Sequence, residues 1–387
     1  MDDLERRERI REALTDFRLD GLVCVSQTDI LLLTGYWPVM GASVVVFPTS
    51  QQVQVVLPED EMEIASHSTS AHLIPYQPAS LDGLSTPLEK LSPVLKSALA
   101  GVHLDKARLG IRRGLCMQPA SYSSSLQLGQ ALESFLAKVA PDTKRIECDA
   151  ELDLLKATKT SAELKLIRKS AAIAADAFTR GSHTIEAGQR ESDVAAAFQH
   201  AFETSQVAAG TRRFYAFFFC MSGPNSAKAS GAYAHTQQRV IENGDLVLVH
   251  ANTCADGYWT DVTRTYVVGD ESERQAGMRS AIEQARAAAL RSIRPGARAR
   301  DVDAAARGVM EQHGLGEAFR HSTGHGVGFV AANPNALPRI HPMSPDLLEN
   351  GMTFNVEPAA YFDGYGGMRH CDMVAVADNG AQVLTDF

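Results

Sequence analysis

Apolar and polar positions in the first part of the chain follow two spacings, one helical and one strand-like. Leu4, Ile10 and Leu14 fall at helical intervals among charged residues, and the pattern over 87–99 predicts a second helix. The apolar runs that predict strands are 22–25, 42–47, 53–57 and 109–111. Helices and strands mixed in this way predict an α/β domain. His, Cys and carboxylate residues do not cluster in this part of the sequence, so its chemistry is not visible.

A second helix-start signal lies near the middle of the chain. Thr160 and Glu163 have the spacing of a capping box, in which a hydroxyl and a carboxylate satisfy free amides at a helix N-terminus. The apolar residues that follow on one helical face are Leu164, Ile167, Ala171, Ala174 and Phe178. We place a domain boundary at about 150–158 and predict domains at 1–155 and 156–387.

The second predicted domain repeats itself at an offset of about 108 residues. Residues 185–197 match 293–305 at seven of thirteen positions, and 244–250 resembles 351–357. A Gly-Tyr pair recurs at 257 and 364. Chance similarity between Ala-rich helices would explain the first match, but agreement of three blocks at nearly one offset favours a true repeat. The sequence therefore predicts two like halves about a pseudo-two-fold axis.

This repeat gives two residues equivalent positions. His250 and Glu357 end corresponding blocks of the two halves. If the halves pack about the predicted axis, the two side chains lie on facing strands and converge. We therefore expect a functional cleft on this axis.

Composition and charge exclude several classes of partner. The 387 residues are 45% hydrophobic and 21% charged, as in folded globular chains, and the net charge of −9 disfavours nucleic acid and anionic lipid. The charged start lacks the apolar core of a signal peptide, and no apolar run approaches the roughly 18 residues of a membrane span. We expect a cytoplasmic protein that binds no membrane. Its six cysteines are far apart without a CxxC pair, which indicates reduced thiols.

Four segments of the second domain carry residue types that serve catalytic or metal sites. They are V-H-A-N at 249–252, G-Y-W-T-D-V-T-R at 257–264, H-S-T-G-H-G-V-G at 321–328, and N-V-E-P at 355–358 with G-M-R-H-C-D at 367–372. Together they resemble the creatinase and methionine aminopeptidase (M24) superfamily, most nearly its Xaa-Pro dipeptidase and aminopeptidase P branch. The resemblance covers about 155–387, and the preceding α/β segment suits the smaller, creatinase-like N-terminal domain of that branch.

The resemblance implies a pita-bread fold and a dinuclear metal site that hydrolyses the bond before proline. Of the five ligand positions that it implies, Asp261, His325 and Glu357 carry the expected residue. The other two carry His250 in place of an Asp and Cys371 in place of a Glu. All five remain possible donors. Their change from four carboxylates and one imidazole to two carboxylates, two imidazoles and one thiol favours zinc over manganese, and the loss of negative charge favours one divalent ion.

Other positions in the resemblance bear on proton transfer and substrate binding. The proton-shuttling His of the family falls on Tyr233, and His235 is the alternative; each could also be an ordinary loop residue. His321 resembles a His that contacts the substrate amide or the developing oxyanion. His341 could line the substrate pocket. Arg369 could bind substrate, or fix the turn and pair with Asp372.

Cys371 is the sharpest departure from the family. If its sulfur faces the cleft beside His250, we expect a depressed pKa and a thiolate near neutral pH. If it is a packing residue, burial raises the pKa and leaves it inert. We favour the cleft, because the metal-bridging Glu of the family has the same offset from Arg369.

These observations predict a homodimeric hydrolase of C–N bonds. The leading hypothesis is a metal-dependent Xaa-Pro dipeptidase-like enzyme with an altered second metal site. In it an activated water attacks the carbonyl of a small peptide or amide, Glu357 relays a proton and His321 assists the oxyanion. One alternative is a metal-free hydrolase of creatinase type that acts on a small amidine or cyclic amide. Another is a non-catalytic peptide-binding protein.

Overall fold

Two units of the chain fold around separate cores. The computed structural model describes residues 3–39, 43–78, 86–114, 129–231 and 233–387. The first unit takes its described residues from 3–114 and 129–156, and the second takes them from 157–387. The start of the predicted strand 42–47 lies outside the described residues, and that strand begins at Val44.

The first unit is a six-stranded mixed sheet with helices. Its elements are α1 (Leu4–Asp16), β1 (Gly21–Cys24), α2 (Gln27–Thr34), β2 (Val44–Pro48), β3 (Gln54–Pro58), α3 (Met62–Ser66), β4 (His72–Tyr76), α4 (Pro87–Gly101), β5 (Arg108–Ile111), α5 (Gly129–Val139), β6 (Lys144–Glu147) and α6 (Asp149–Ala157). The strand order is β4-β3-β2-β1-β5-β6, with β1 antiparallel to β2 and parallel to β5. The predicted α/β domain is confirmed.

A buried ion network stabilises this first unit. Asp29 is fully buried, and the guanidinium of Arg112 donates to both of its carboxylate oxygens, at 2.8 and 3.0 Å. Lys156 forms a second ion pair with the same carboxylate. The two cations hold the pKa of Asp29 well below its usual range despite burial. This cluster stabilises the first unit, and the candidate site residues lie in the second unit.

The second unit contains the predicted repeat. Its first half is α7 (Ser161–Ser182), α8 (Glu191–Glu203), β7 (Phe214–Ser222), β8 (Leu246–Ala255) and β9 (Tyr258–Val267). Its second half is α9 (Glu273–Ser292), α10 (Ala299–Gln312), β10 (Thr353–Val356), β11 (Ala359–Phe362), β12 (Gly366–Arg369), β13 (Asp372–Ala377) and β14 (Gly380–Val383). Each half is thus a helix pair followed by antiparallel strands, in the order predicted.

Backbone detail confirms that the halves correspond. Gly188 and Gly296 both have positive φ, 94° and 80°, and their amides donate to the carbonyls of Ile241 and Leu348. The glycines of the repeated Gly-Tyr pair also share positive φ, which suits glycine because it lacks a Cβ. The repeat therefore conserves turns as well as helices, as expected for the pita-bread fold.

Two apolar clusters hold the strands against the helices of this unit. In the first half the cluster packs α7 and α8 against β7, β8 and β9, with Phe178, Phe198 and Phe202 at its centre. The second cluster packs α9 and α10 against β10 to β13 and the other side of β8. Of the helices in the described part of the chain, none has both the length and the apolar character needed to cross a membrane.

Candidate functional site

The β8–β9 hairpin positions two of the predicted ligands. His250 pairs with Thr263 and Asn252 pairs with Asp261 in the antiparallel register, and side chains on paired positions point to the same face. His250 and Asp261 are both buried on this face. His250 Nδ1 lies 3.6 Å from Asp261 Oδ1.

The segment that carries His325 runs beside β10. Its backbone pairs with that strand through Asn355 N to His325 O at 3.1 Å and Glu357 N to Thr323 O at 2.8 Å. A Cβ on Gly324 would lie 1.8 Å from the carbonyl oxygen of Asn355, which no side chain tolerates. Gly324 thus allows close backbone packing beside the site.

A backbone bridge joins the two halves of the repeat at the site. Cys371 N donates to Thr263 O at 3.0 Å, and Thr263 N donates to Cys371 O at 3.3 Å. This bridge sets β9, with Asp261, against the turn that carries Arg369 and Cys371.

Asp261 and His325 are the pair best arranged to bind an ion. His325 Nε2 lies 3.7 Å from Asp261 Oδ2, and Asn355 Nδ2 lies 3.4 Å from each. His325 Nδ1 is 3.1 Å from the carbonyl of Gly326, which can only accept, so Nδ1 carries the proton and the Nε2 lone pair faces Asp261. A hydrogen bond of this kind fixes the ligating tautomer in metal sites. Burial raises the pKa of Asp261, although His325 and Arg369 oppose the shift.

Arg369 occupies the centre of the site. It is buried, and its Nη2 donates to Nδ1 of His250 at 2.9 Å, while its Nη1 lies 3.8 Å from Glu357 Oε2. Its Nε donates to the hydroxyl of Thr263 at 3.0 Å. The guanidinium therefore lies between the residues that the repeat predicted to converge, His250 and Glu357.

The predicted pairing of Arg369 with Asp372 is wrong. Asp372 is fully buried and binds Arg264 at 2.7 Å, His370 at 3.1 Å and Arg286 at 2.5 Å. Because successive residues of extended backbone point to opposite faces, Arg369 and Cys371 face the site while His370 and Asp372 face away.

His250 has both ring nitrogens engaged. Nδ1 accepts from the Arg369 guanidinium, and Nε2 lies 3.3 Å from Asn252 Oδ1. The Asn252 amide donates to Thr260 O, which turns Oδ1 toward the ring and requires the proton on Nε2. Burial and the neighbouring guanidinium lower the pKa of His250 well below its usual value, so the ring is neutral. As arranged, His250 offers no lone pair to a metal.

The thiol of Cys371 faces the site but is not activated. Sγ donates to the backbone oxygen of Asp261 at 3.3 Å and approaches its Oδ1 at 3.6 Å. Burial, with the nearby Asp261 and Glu357 carboxylates, raises the pKa of this thiol well above its ordinary value. The depressed pKa expected for a thiol that faces the cleft is therefore not found, because burial and the two carboxylates outweigh Arg369.

His321 forms a hydrogen-bonded pair with Tyr361, which sequence reasoning missed. Nδ1 of His321 donates to the Ser322 carbonyl at 2.8 Å, so Nε2 accepts from the Tyr361 hydroxyl at 3.0 Å. Arg369 Nη1 in turn lies 3.4 Å from that hydroxyl oxygen. Burial lowers the pKa of His321 and raises that of Tyr361 to about 12, so both are neutral. No motif in the sequence pointed to Tyr361.

The remaining predicted residues lie at different distances from this centre. The ring of Tyr233 packs edge-on against His250, with centroids 4.7 Å apart. His235 instead bonds Asn225 at 2.9 Å and Gln237 at 3.1 Å, which makes it part of a buried network around Glu191. His341 is exposed, and its Nδ1 accepts from the amide of Met343 at 3.1 Å.

The two halves of the site differ in their fit to a metal. Asp261 and the His325 lone pair fit an ion, whereas Glu357 lies beside the guanidinium of Arg369, at 3.8 Å. His250 and Cys371 do not fit, because Arg369 and Asp261 already bind their polar atoms. Across the described ranges, no three His, Cys, Asp or Glu side chains are gathered as a ready group for an ion. Arg369 places a fixed positive charge between His250 and Glu357.

Comparison with known proteins agrees with this fold. The sequence pattern of metallopeptidase family M24 matches residues 165–378, and that of the creatinase/prolidase N-terminal domain matches 6–153. The probable dipeptidase PepE of Mycobacterium bovis is 32% identical over 372 residues, which cover 95% of this chain and 90% of that protein. The Xaa-Pro dipeptidase of Pyrococcus horikoshii is 27% identical and covers 98% of this chain and 97% of its own.

A solved structure extends the comparison to three dimensions. The Xaa-Pro dipeptidase from Bacillus anthracis superposes with a TM-score of 0.79 at 25% identity, covering 99% of this chain and 98% of that one. The chain belongs to metallopeptidase family M24, and it is a hydrolase. Membership of this family supports a divalent metal.

Proposed function

We propose that this protein hydrolyses the C–N bond of a small peptide or amide, in the manner of an Xaa-Pro dipeptidase or aminopeptidase, with one divalent ion. The observation that carries the proposal is the His325 tautomer, whose Nε2 lone pair faces Asp261 at 3.7 Å. The names of the relatives support the substrate class. Asp261, His325 and Glu357 would hold the ion.

The charge of the site supports a single ion. Two carboxylates, Asp261 and Glu357, and one guanidinium, Arg369, leave one net negative charge. One divalent ion turns this into one net positive charge, whereas a second would add two more without any further carboxylate among the five ligand positions. Such charges repel strongly in a buried site. When bound, the ion would polarise the substrate carbonyl and lower the pKa of a water toward about 7.

We favour zinc, with manganese as the alternative. One imidazole and two carboxylates with an open position suit catalytic zinc. In the sequence analysis, the Cys371 thiol and the His250 imidazole also favoured zinc. They no longer support this preference, because their polar atoms bind Asp261, Arg369 and Asn252.

Residues of this chain would supply the proton transfers. Glu357 would relay a proton from the attacking water to the leaving nitrogen. The Tyr361 hydroxyl donates to His321 Nε2. On substrate binding it would donate instead to the substrate oxygen and stabilise negative charge there, with His321 positioning it. Tyr233 packs against His250 and is the better of the two candidates for the shuttle, since His235 is bound into the Asn225 network.

The metal-free alternative rests on Arg369. Its guanidinium is a permanent cation that could itself bind the carbonyl oxygen of a small cyclic amide. The non-catalytic alternative has no separate support, since the site keeps neutral, hydrogen-bonded groups suited to proton transfer.

Metal content and turnover test this proposal together. We expect one equivalent of zinc or manganese after dialysis, by elemental analysis, and hydrolysis of Xaa-Pro dipeptides or of their N-acylated forms. Two equivalents would exclude the single-ion site, and turnover without any metal would give the lead to the metal-free alternative. Failure to hydrolyse any of these substrates would favour the non-catalytic one.

Variants test the assignment of residues. His325→Ala and Glu357→Ala should each abolish activity and leave circular dichroism unchanged. The matched controls are His183→Ala and Glu311→Ala, which change exposed residues at helix ends and should keep full activity. Activity within a few-fold of wild type in the first pair would exclude these residues as the catalytic centre.

Two further properties complete the proposal. We infer a homodimer, supported by the family resemblance, in the cytoplasm, supported by six widely spaced cysteines of the kind expected to stay reduced there. Light scattering at several concentrations tests the first, and fractionation of native cells tests the second.

A further inference from the structure

A second buried arginine, Arg264, lies behind the site on the opposite face of β9. Asp261 and Thr263 point to the site, so the alternation of side chains along the strand turns Arg264 away from it. A guanidinium has five N–H groups. In the described residues, those of Arg264 have five acceptors at 2.7 to 3.4 Å: Thr263 O, Cys371 O, Asp372 Oδ1, Thr385 O and Phe387 O.

These hydrogen bonds join the two halves of the repeat. Arg264 belongs to the first half, whereas Cys371 and Asp372 belong to the second. Two of the acceptors are the carbonyls of the backbone bridge, in which Thr263 and Cys371 each donate to the other. Nη1 of Arg264 donates to Thr263 O at 3.0 Å and to Cys371 O at 2.8 Å. One side chain therefore binds both strands of the bridge.

We propose that Arg264 is a positioning residue, which keeps the two halves of the active site in register by binding both carbonyls of this bridge. It acts through the bridge and does not touch the substrate. The effect on turnover rests on the proposed hydrolase, whereas the effect on the bridge is independent of any activity.

The bridge residues also contact the site directly. Thr263 Oγ1 accepts from Nε of Arg369 at 3.0 Å, and the Cys371 thiol donates to the backbone oxygen of Asp261 at 3.3 Å. Arg369 in turn lies 3.8 Å from Glu357 Oε2. A shift of either bridge residue therefore moves groups of the two halves relative to each other. A misplacement of about 1 Å can lower a rate by about 100-fold.

The bridge needs the shape of the guanidinium as well as its charge. Asp372 is also bound by Arg286 and His370, so it keeps cationic partners without Arg264. Among the described residues, Arg264 is the one side chain that donates to either bridge carbonyl. A lysine keeps the charge, but its single nitrogen cannot reach acceptors as widely placed as those of a planar guanidinium.

Arg264→Lys and Arg286→Lys separate the bridge from the ion network. Both arginines bind Asp372, but of the two only Arg264 binds the bridge. We expect Arg264→Lys to lower kcat at least about tenfold with KM changed less than about threefold, because positioning is lost and substrate binding is kept. Arg286→Lys should keep kcat within about twofold of wild type. Equal kcat in the two variants, or a change confined to KM, would overturn the proposal.

Alkylation of buried cysteines measures opening of the bridge without turnover. Cys371 lies in the bridge, whereas Cys220 and Cys254 are equally buried on β7 and β8. With iodoacetamide and peptide mass spectrometry, we expect Cys371 to react at least about tenfold faster in Arg264→Lys than in wild type or Arg286→Lys, because the bridge opens locally. Cys220 and Cys254 should keep their wild-type rates. An unchanged rate at Cys371, or equal acceleration of all three thiols, would overturn the proposal.

Hydrogen exchange of the wild type needs no variant to fold. We expect the amides of Thr263 and Cys371 to exchange as slowly as those of Val249 and Arg264, which pair within the β8–β9 hairpin. Much faster exchange at the bridge would show that Arg264 does not hold it closed, and would overturn the proposal.

The two proposals fail in different ways. Absence of turnover in the wild-type protein would count against the hydrolase. Labelling of Cys371 and exchange of the bridge amides are measured without substrate, so they decide the role of Arg264 even in that case.

Discussion

The carboxylate of Asp303 accepts hydrogen bonds from both the backbone amide and the hydroxyl of Thr323, at 2.9 and 2.8 Å. Asp303 is buried on α10, and Arg307, one turn later, binds the same carboxylate through Nε at 3.0 Å. Arg307 also donates to the carbonyl of His321 at 2.9 Å. This pair on α10 therefore holds the segment that carries His321 and leads to His325.

Asp303→Asn should lower activity through positioning alone. The amide cannot accept as strongly from Thr323, and Arg307 loses its charged partner, so we expect a loss of about 2 kcal/mol in unfolding free energy. In the folded variant kcat should fall at least about tenfold while KM changes little, because the pair touches the His321 segment and not the substrate.

Asp301→Asn is the matched control on the same helix. Its side chain is 66% exposed, so stability and kcat should stay near wild type. Equal kcat in Asp303→Asn and wild type would show that the pair stabilises the fold without positioning the site.

Lys159 should make stability depend on pH. It is buried, its Nζ donates to Ala157 O at 2.8 Å, and burial lowers its pKa to about 7 although Glu163 opposes the shift. Between pH 7 and about 10.4 the unfolded chain binds this proton and the folded protein does not. The free energy of unfolding therefore rises with pH across that range. Below pH 7 the buried lysine is charged in the folded protein, and its full destabilising effect is present.

Lys159→Met should remove this dependence. We expect the variant to be more stable than wild type at pH 6 by roughly 2 kcal/mol or more, with the difference vanishing toward pH 10. Denaturant unfolding at several pH values measures it. Lys165→Met, at an exposed position of α7, is the matched control and should leave the pH profile of stability unchanged. Parallel profiles for wild type and Lys159→Met would contradict a lowered pKa of the buried lysine.

Gly324→Ala should disrupt the site by steric contact. The added Cβ would lie 1.8 Å from the Asn355 carbonyl oxygen, so β10 and the His325 segment must separate. We expect loss of activity and a destabilisation of about 3 kcal/mol, measured by denaturant unfolding. Gly308→Ala on α10, with no atom within 4 Å of the new Cβ, should instead stabilise the protein by up to about 1 kcal/mol. Similar effects of the two substitutions would contradict this packing.

Cys371 should resist alkylation in the native protein. Its thiol is fully buried and has a raised pKa, so neither access nor thiolate character favours reaction. Peptide mass spectrometry after iodoacetamide at pH 7.5 should find it unmodified until denaturant is added. Rapid labelling of Cys371 in the native protein would instead support a thiol with a depressed pKa.

The sequence predicted the site where a motif fixes both residue type and spacing. Asp261, His325 and Glu357 follow from such motifs; the structure buries all three and places His325 Nε2 3.7 Å from Asp261 Oδ2. The sequence predicted that Arg369 pairs with Asp372, because the two residues are close in sequence. The alternation of side chains along the strand instead points Asp372 away from Arg369, and it binds Arg264. His235 was an alternative candidate for the proton shuttle, because nothing in the sequence revealed its bond to Asn225.

Residues that were missed lack a local signal. Tyr361 reaches His321 across forty positions, and Asn355 reaches His325 across thirty. Spacing along one element cannot predict such contacts. Asp303 and Arg307 did carry a signal, since opposite charges four residues apart face each other on a helix.

The bridge between Thr263 and Cys371 has a consequence for folding. Asp261 belongs to one repeat and Glu357 to the other, and this bridge forms only after both repeats have built their strands and docked. Contacts so distant in sequence are entropically slow to close. The catalytic centre should therefore mature in the last folding step, and a chain arrested with one half folded would have native-like helices but no activity.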